Sequence, residues 1–308
     1  MLSSPEVLLA VLAGAVQAGT PLLFATLGEI ITERSGVLNL GVEGMMIVGA
    51  FFGFLGLHLT GSPWLGVCAG AVAGAGMASI HGALCVTLRC NQVVSGLALT
   101  ILGLGLADFL GAPYMGQVTE GFKAFSIPGL CAIPVLGPIL FRQDALVYLS
   151  YFLPPLLWFF LRYTSWGLGL RAAGENPAAV TAAGLNVIGF RWAGVLAGGV
   201  LAGIGGAYLS LAYTHMWTNN ITAGRGWIAV ALVIFAFWRP LRAVVGAYLF
   251  SGIIMLQMNA QAHGTNIPSS LLDTLPYAFT LAALVFSSVR GKGRGAPAYL
   301  GVNQEPSD

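Results

Sequence analysis

The sequence predicts an all-α fold, a polytopic bundle of membrane-crossing helices with about nine spans (8–10) and one short helix on the cytoplasmic face. Three observations carry that expectation. Hydrophobic residues make up 57% of the chain and charged residues only 8%, against about 25% charged in soluble domains. Mean hydropathy is +0.83, more apolar surface than a soluble core can hide, so lipid must solvate much of it. The 43 glycines suit membrane helices, whose backbones pack closely across small residues. A net charge of +2 gives no sign of nucleic-acid binding.

In chain order, apolar runs near the length of a span, about 20 residues, cover roughly 7–28, 37–57, 64–88, 91–111, 144–163, 191–213, 226–238, 243–258 and 274–289. The first is not preceded by Lys or Arg, so it reads as a helix rather than a signal peptide. The third carries Gly66, Gly70 and Gly74 at four-residue spacing, a stripe that favours close helix packing. Cys68 and Cys85 lie inside it and Cys90 at its end; with Cys131 they do not form a disulfide framework. The fourth opens on Asn91 and Gln92. Pro154-Pro155 should kink or break the fifth. The sixth repeats small residues at Gly194, Gly198, Ala202 and Gly206. The seventh and eighth are short and joined by Trp238-Arg239-Pro240-Leu241-Arg242.

Basic residues set an orientation. With the N-terminus outside, the cytoplasmic side holds Arg34, Arg89, Arg162, Arg171, Arg191, Arg239, Arg242, Arg290, Lys292 and Arg294. The outer side holds Lys123, Arg142 and Arg225, and the reverse topology inverts that bias. Residues 1–289 then form one transmembrane domain, and 290–308 a basic, then polar, cytoplasmic tail expected to be disordered. The longest outer loop, about 112–143, is broken by Pro113, Pro128, Pro134 and Pro138. It is either an ordinary connection or a docking surface for an external partner.

The run Glu33–Met46 places Glu33, Arg34 and Glu43 among three glycines, between two apolar stretches, with Glu29 just before it. Charges near hydrocarbon cost roughly 2.5–3.5 kcal/mol each at the bilayer centre. The segment is therefore a membrane-surface turn or a polar break lining a path, and both readings point to transport.

The loop 164–190 contains a mechanical feature. Asn176 before Pro177 is a strong helix start, because Asn caps free backbone N–H groups and Pro suits the first helical position. Ala178, Ala179, Ala182 and Ala183 favour helix, and Gly184 is placed to end it in a left-handed conformation. Glu175 lies beside the cap, where the helix dipole favours a carboxylate. So short a helix does not hold alone in water. It is either a plain capped connector or an element that docks on a partner, and its Ala surface suits insertion into a groove.

Enzyme signatures are absent. There is no phosphate-binding G-x-x-x-x-G-K-[ST] motif, and His58, His81, His215 and His263 show no metal-ligand spacing.

Several stretches together resemble the permease subunits of ABC importers, in the branch that includes branched-chain amino acid, ribose and nucleoside permeases, and most closely the purine-nucleoside type. They are Glu33–Met46, Asn91–Leu99, Arg171–Val187, Gly224–Val233 and Leu275–Leu281. The resemblance implies a permease of the bacterial plasma membrane that is not itself an enzyme and holds no cofactor. ATP and Mg would be used by a partner ATPase in the cytoplasm. A second permease subunit and an extracytoplasmic substrate-binding lipoprotein complete the implied set. The resemblance also makes Glu175–Gly184 a coupling helix, with Glu175, Asn176, Pro177, Ala178, Ala179, Ala182 and Gly184 as candidate ATPase contacts. This chain departs there from the glutamate-alanine-alanine loop of other importers. A nucleoside brings a flat base and a ribose, so a path should offer aromatic faces and amide or hydroxyl groups. Asn39, Glu43, Asn91, Gln92 and Ser95 are the polar candidates, and Phe51, Phe52 and Trp227 the stacking candidates. The alternatives are a simple sugar or branched-chain amino acid as substrate, or an ion-coupled secondary transporter. Buried ionisable relays and repeat symmetry would mark the last, and mid-span charges are nearly absent.

Overall fold

A computed structural model describes residues 5–262 and 295–303, with residues 268, 271, 274, 275, 278, 281, 282 and 285 between them. Apolar runs become helices where a full set of internal hydrogen bonds lets the backbone sit in lipid. The chain opens with α1 (Pro5–Arg34), α2 (Val42–Thr60), α3 (Pro63–Gly82, continued by a π-turn to Thr87) and α4 (Gln92–Gly111). A connection with β1 (Phe125–Ser126), α5 (Leu136–Leu140) and β2 (Arg142–Gln143) leads to α6 (Ala145–Tyr163). Two short helices follow, α7 (Ser165–Glu175) and α8 (Pro177–Ala182). Then come α9 (Val187–Tyr208, continued by a π-turn to Tyr213), α10 (Arg225–Phe235) and α11 (Pro240–Ala262).

Seven helices among the described residues are long and apolar enough to cross a membrane, and α10 is a shorter apolar helix. These match the first eight expected spans. The ninth, 274–289, and the resembling stretch Leu275–Leu281 lie, but for isolated residues, outside the described residues. Boundaries differ where charge misled the hydropathy. α1 runs to Arg34 rather than ending near 28, because Glu29 and Glu33 find buried partners and need no exit from the helix. α6 runs unbroken through Pro154 and Pro155. The outer connection, as its prolines predict, is a set of short turns around the β1–β2 ribbon.

α9 is the packing centre, meeting α1, α2 and α3. The small-residue stripes are the seams. A Cβ added at Gly49 of α2 would lie 2.6 Å from Cα of Gly203 in α9, and one at Gly70 of α3 would lie 2.8 Å from the Gly49 carbonyl. On the other side of α9, a Cβ at Gly28 of α1 would lie 2.7 Å from the Gly198 carbonyl. Backbone thus touches backbone across three helices, and the contact energy is dispersion at closest approach. Around the seams, Met45, Met46, Phe51 and Phe54 fill one apolar cluster, and Leu22, Leu23, Phe24 and Ile30 another.

Caps fix the helix starts. Asp144 accepts from the Leu146 and Val147 N–H groups at 2.9 and 3.1 Å and from the Tyr208 hydroxyl at 3.1 Å, tying α6 to α9. Burial pushes its carboxyl above the usual range, against the opposing pull of those donors. Asn91 caps α4 through the Val94 N–H at 3.1 Å.

Arg34, Arg162, Arg171 and Arg239 gather at one end. Arg34 pairs with Glu175 at 3.5 Å, and Arg171, Arg162 and Arg239 share a cavity with Arg34. Residues 295–303 lie across that end; the rest of the expected tail lies outside the described residues. The Tyr299 N–H donates to the Gly174 carbonyl at 2.9 Å and the Gly301 N–H to the Gly36 carbonyl at 3.2 Å. Asn303 donates to the Arg89 and Cys90 carbonyls at 2.7 and 3.1 Å.

Candidate functional site

The segment between α1 and α2 turns at the basic end and then climbs back into the bundle. Gly36, at φ +92°, makes the turn in a backbone conformation that favours glycine. Residues 37–39 belong to no helix or strand. α2 does not begin at the bundle's edge. A Cβ on Gly44 would fall 2.8 Å from Thr100 Cα, and one on Gly103 would fall 2.6 Å from Gly44 Cα. Those α4 residues are in the middle of the helix Gln92–Gly111, so α2 starts at mid-depth. The polar run is therefore a break inside the bundle rather than a surface turn.

Irregular backbone at that depth needs a partner for each polar group. The Leu38 N–H donates to Gln92 Oε1 at 2.7 Å, and the Leu38 carbonyl meets His81 Nε2 at 3.0 Å. The Asn39 N–H and side-chain amide both donate to the Glu29 carboxylate at 3.2 Å. Asn39 Oδ1 accepts from the Gly41 N–H at 2.9 Å, and the Leu40 carbonyl accepts from the Thr100 hydroxyl at 3.1 Å. His81 Nδ1 meets Ser95 Oγ at 3.0 Å.

A second broken helix meets the first. After α9 the chain passes Trp217, whose ring packs edge-on to Phe51 at 5.2 Å, and descends to begin α10. A Cβ on Gly226 would lie 2.5 Å from Glu43 Cα, so α10 also starts at mid-depth. Glu43 joins the two starts. Its carboxylate accepts from the Thr222 hydroxyl at 2.5 Å, the Gly224 N–H at 2.9 Å and the Gly226 N–H at 2.6 Å. A carboxylate there is favoured by the free N–H groups and positive end of α10. Arg225, expected on the outer side, stands at this junction instead. It donates to the Ile221 and Thr222 carbonyls at 3.2 Å, lies over the Tyr213 ring at 5.6 Å, and its Nε has no partner among the described residues.

The six path candidates thus divide. Asn39, Glu43, Gln92 and Ser95 are buried and bonded within the chain, and they hold the break in shape. Asn91 is exposed but occupied as a cap. Trp227 is 39% exposed, one residue past the Glu43–Gly226 contact. Phe51 is buried in the aromatic cluster with Phe52, Trp217 and Tyr114. Sequence reasoning missed Thr222, Gly224 and Arg225. The Gly224-Arg225-Gly226 triplet was the available signal, since glycines beside a helix start leave N–H groups open to an anion.

The short helix at the basic end has the expected form. Asn176 Oδ1 accepts from the Ala179 N–H at 3.1 Å, Pro177 takes the first helical position, and Gly184 follows at φ +73°. Pro177 and Val180 are buried, Val180 against Ala173 and Val187. Ala178, Ala179, Ala182 and Gly184 are exposed along one open side. Glu175 takes the Arg34 ion pair and accepts from the Ala298 N–H at 3.3 Å.

Two helices broken at mid-depth, stitched by a buried carboxylate inside a lipid-soluble bundle, define a membrane transport protein. The family comparison agrees. Residues 10–284 match the model of the branched-chain amino acid transport system permease component, and the chain belongs to that family. It is therefore a permease subunit of an ABC transporter and not an enzyme. It is 43% identical to a putative glucose ABC transporter permease of Haloferax volcanii, TsgC13, over 89% of this chain and 90% of that one. It is 37% identical to the nucleoside permease NupC of Lactococcus lactis, over 92% and 93% of the two chains. It is 36% identical to the guanosine permease NupQ of Bacillus subtilis, over 86% and 87%. No solved structure matches significantly.

Proposed function

We propose that this permease imports nucleosides across a bacterial plasma membrane, driven by ATP and Mg bound to a separate cytoplasmic ATPase. The observation that carries the substrate class is the junction of α2 and α10. Trp227 offers a partly exposed aromatic face there, one residue past the Glu43–Gly226 contact. A flat base stacks on indole. Asn39, Glu43, Gln92 and Ser95 shape this region by holding the break. Two relatives named for nucleoside and guanosine transport support the reading. The second reading, a simple sugar, is favoured by the higher identity to a relative named as a putative glucose permease.

The basic end is taken as cytoplasmic, from the excess of Arg and Lys there. The open alanine side of α8 then faces the ATPase, and Glu175, through Arg34, ties it to the end of α1. A second permease subunit is supported by two guanosine permease relatives in one organism, NupQ and NupP of Bacillus subtilis. The opposite end receives substrate from an extracytoplasmic lipoprotein. Uptake of labelled guanosine into cells expressing the whole transporter tests the substrate. Excess unlabelled adenosine should compete and excess glucose should not. Competition by glucose alone would replace the nucleoside reading with the sugar reading.

A further inference from the structure

At the basic end, away from the α2–α10 junction, a cavity of about 260 Å³ opens between the ends of α1, α6, α7 and α10. It is lined by Arg34, Arg162, Arg171 and Arg239, with Trp158 and Trp238. Four guanidiniums around one small space are out of proportion to the carboxylates near them. Arg34 pairs with Glu175 at 3.5 Å and donates to the Trp238 carbonyl at 3.2 Å. Glu33 is occupied by the Trp238 indole N–H. Among the described residues no ion pair involves Arg162, Arg171 or Arg239, and the buried Nε of Arg171 has no hydrogen-bond partner. The cavity thus carries more positive charge than the described carboxylates balance.

We propose that the cavity binds the phosphate of an anionic phospholipid headgroup. Guanidinium forks match phosphate oxygens in geometry and charge. The walls favour a lipid source over a soluble one. Trp158 and Leu161 belong to the last turns of α6, an apolar membrane-length helix. Phe159, Tyr163 and Trp166 beside them are 54%, 60% and 64% exposed. Exposed aromatic rings in such a band mark the membrane–water boundary, and basic cavities between helices there recognise lipid headgroups. A phosphate seated among Arg34, Arg171 and Arg239 would bridge α1, α7 and the α10–α11 connection. Arg34 also holds Glu175, which adjoins the cap of α8. The lipid would therefore steady the short helix through a chain of charge contacts.

Native mass spectrometry of the purified full-length chain, titrated with phosphatidylglycerol and with phosphatidylcholine, tests this. The wild type should hold one phosphatidylglycerol in clear preference to phosphatidylcholine. Each Arg near an anionic lipid is worth about fivefold in affinity, so Arg239→Gln should weaken binding roughly fivefold and Arg171→Gln with Arg239→Gln roughly thirtyfold. Arg239 is exposed, so its single change leaves the fold intact. Arg142→Gln, at the opposite end, should bind like wild type. Equal phosphatidylglycerol binding by the Arg239 variant and wild type would overturn the proposal. So would displacement of the lipid by millimolar inorganic phosphate, which would make the site one for a soluble anion. Loss of the ATPase from the Arg239 variant with lipid binding unchanged would assign the cavity to a protein contact instead.

Discussion

Glu43 shows why a costly residue persists at mid-depth. Its carboxylate is 2% exposed, yet three donors and the start of α10 compensate it. From the sequence alone, Glu43→Leu should cut uptake and leave assembly intact. The hydrogen bonds change that expectation. Removing the carboxylate strands one hydroxyl and two N–H groups, each costing about 1–3 kcal/mol when buried and unmet. Glu43→Leu should therefore lower thermal stability as well as uptake. Glu43→Gln, which keeps an acceptor, should lose less of both. Melting of the detergent-purified variants checks this, and an unchanged melting temperature for Glu43→Leu would contradict the assigned role. The sequence announced Glu43 as out of place but not its partners. Thr222 and Gly226 lie about 180 positions on, and no local pattern encodes such a pairing. Asn39 shows the same limit, since its amide answers Glu29 on the preceding helix.

Elements with local determinants were the most legible. α8 was readable to within a residue because Asn176, Pro177 and Gly184 act on their own backbone neighbours. The start of α2 was not, since mid-depth placement is set by contact with α4 across the bundle. The glycine stripes of α3 and α9 were visible, and their meaning as backbone seams is simple packing. Two substitutions test α8 as a transmitting element. Asn176→Ala removes the cap bond and should cost about 1 kcal/mol of local helix stability. Ala179→Trp leaves the cap in place but puts a large ring on the open side. Both should insert normally in the membrane, and uptake should fall moderately for the first and severely for the second. Co-purification of the ATPase with each variant reads the same contact directly. Wild-type uptake and ATPase recovery with Ala179→Trp would make α8 a mere connector.

Across the whole molecule, the two ends differ in kind. The basic end gathers α7, α8, the turn at Gly36 and the segment 295–303, with Asn303 also accepting from Gln92 at 3.0 Å. The carbonyls that 295–303 meets were not legible, because composition carries no record of them. The other end carries the β1–β2 ribbon, which Tyr148 ties to the Phe125 carbonyl at 3.0 Å. Between them lie the two broken helices. Under the proposed function, energy enters at the basic end and acts on the junction at mid-depth. The most direct test separates the energy sources. The purified chain is reconstituted in proteoliposomes with its partner subunits, its ATPase and its binding lipoprotein. With ATP supplied on the ATPase side and no ion gradient, labelled nucleoside should accumulate. An imposed proton gradient without ATP should leave uptake at background. Accumulation driven by the gradient alone would contradict the account.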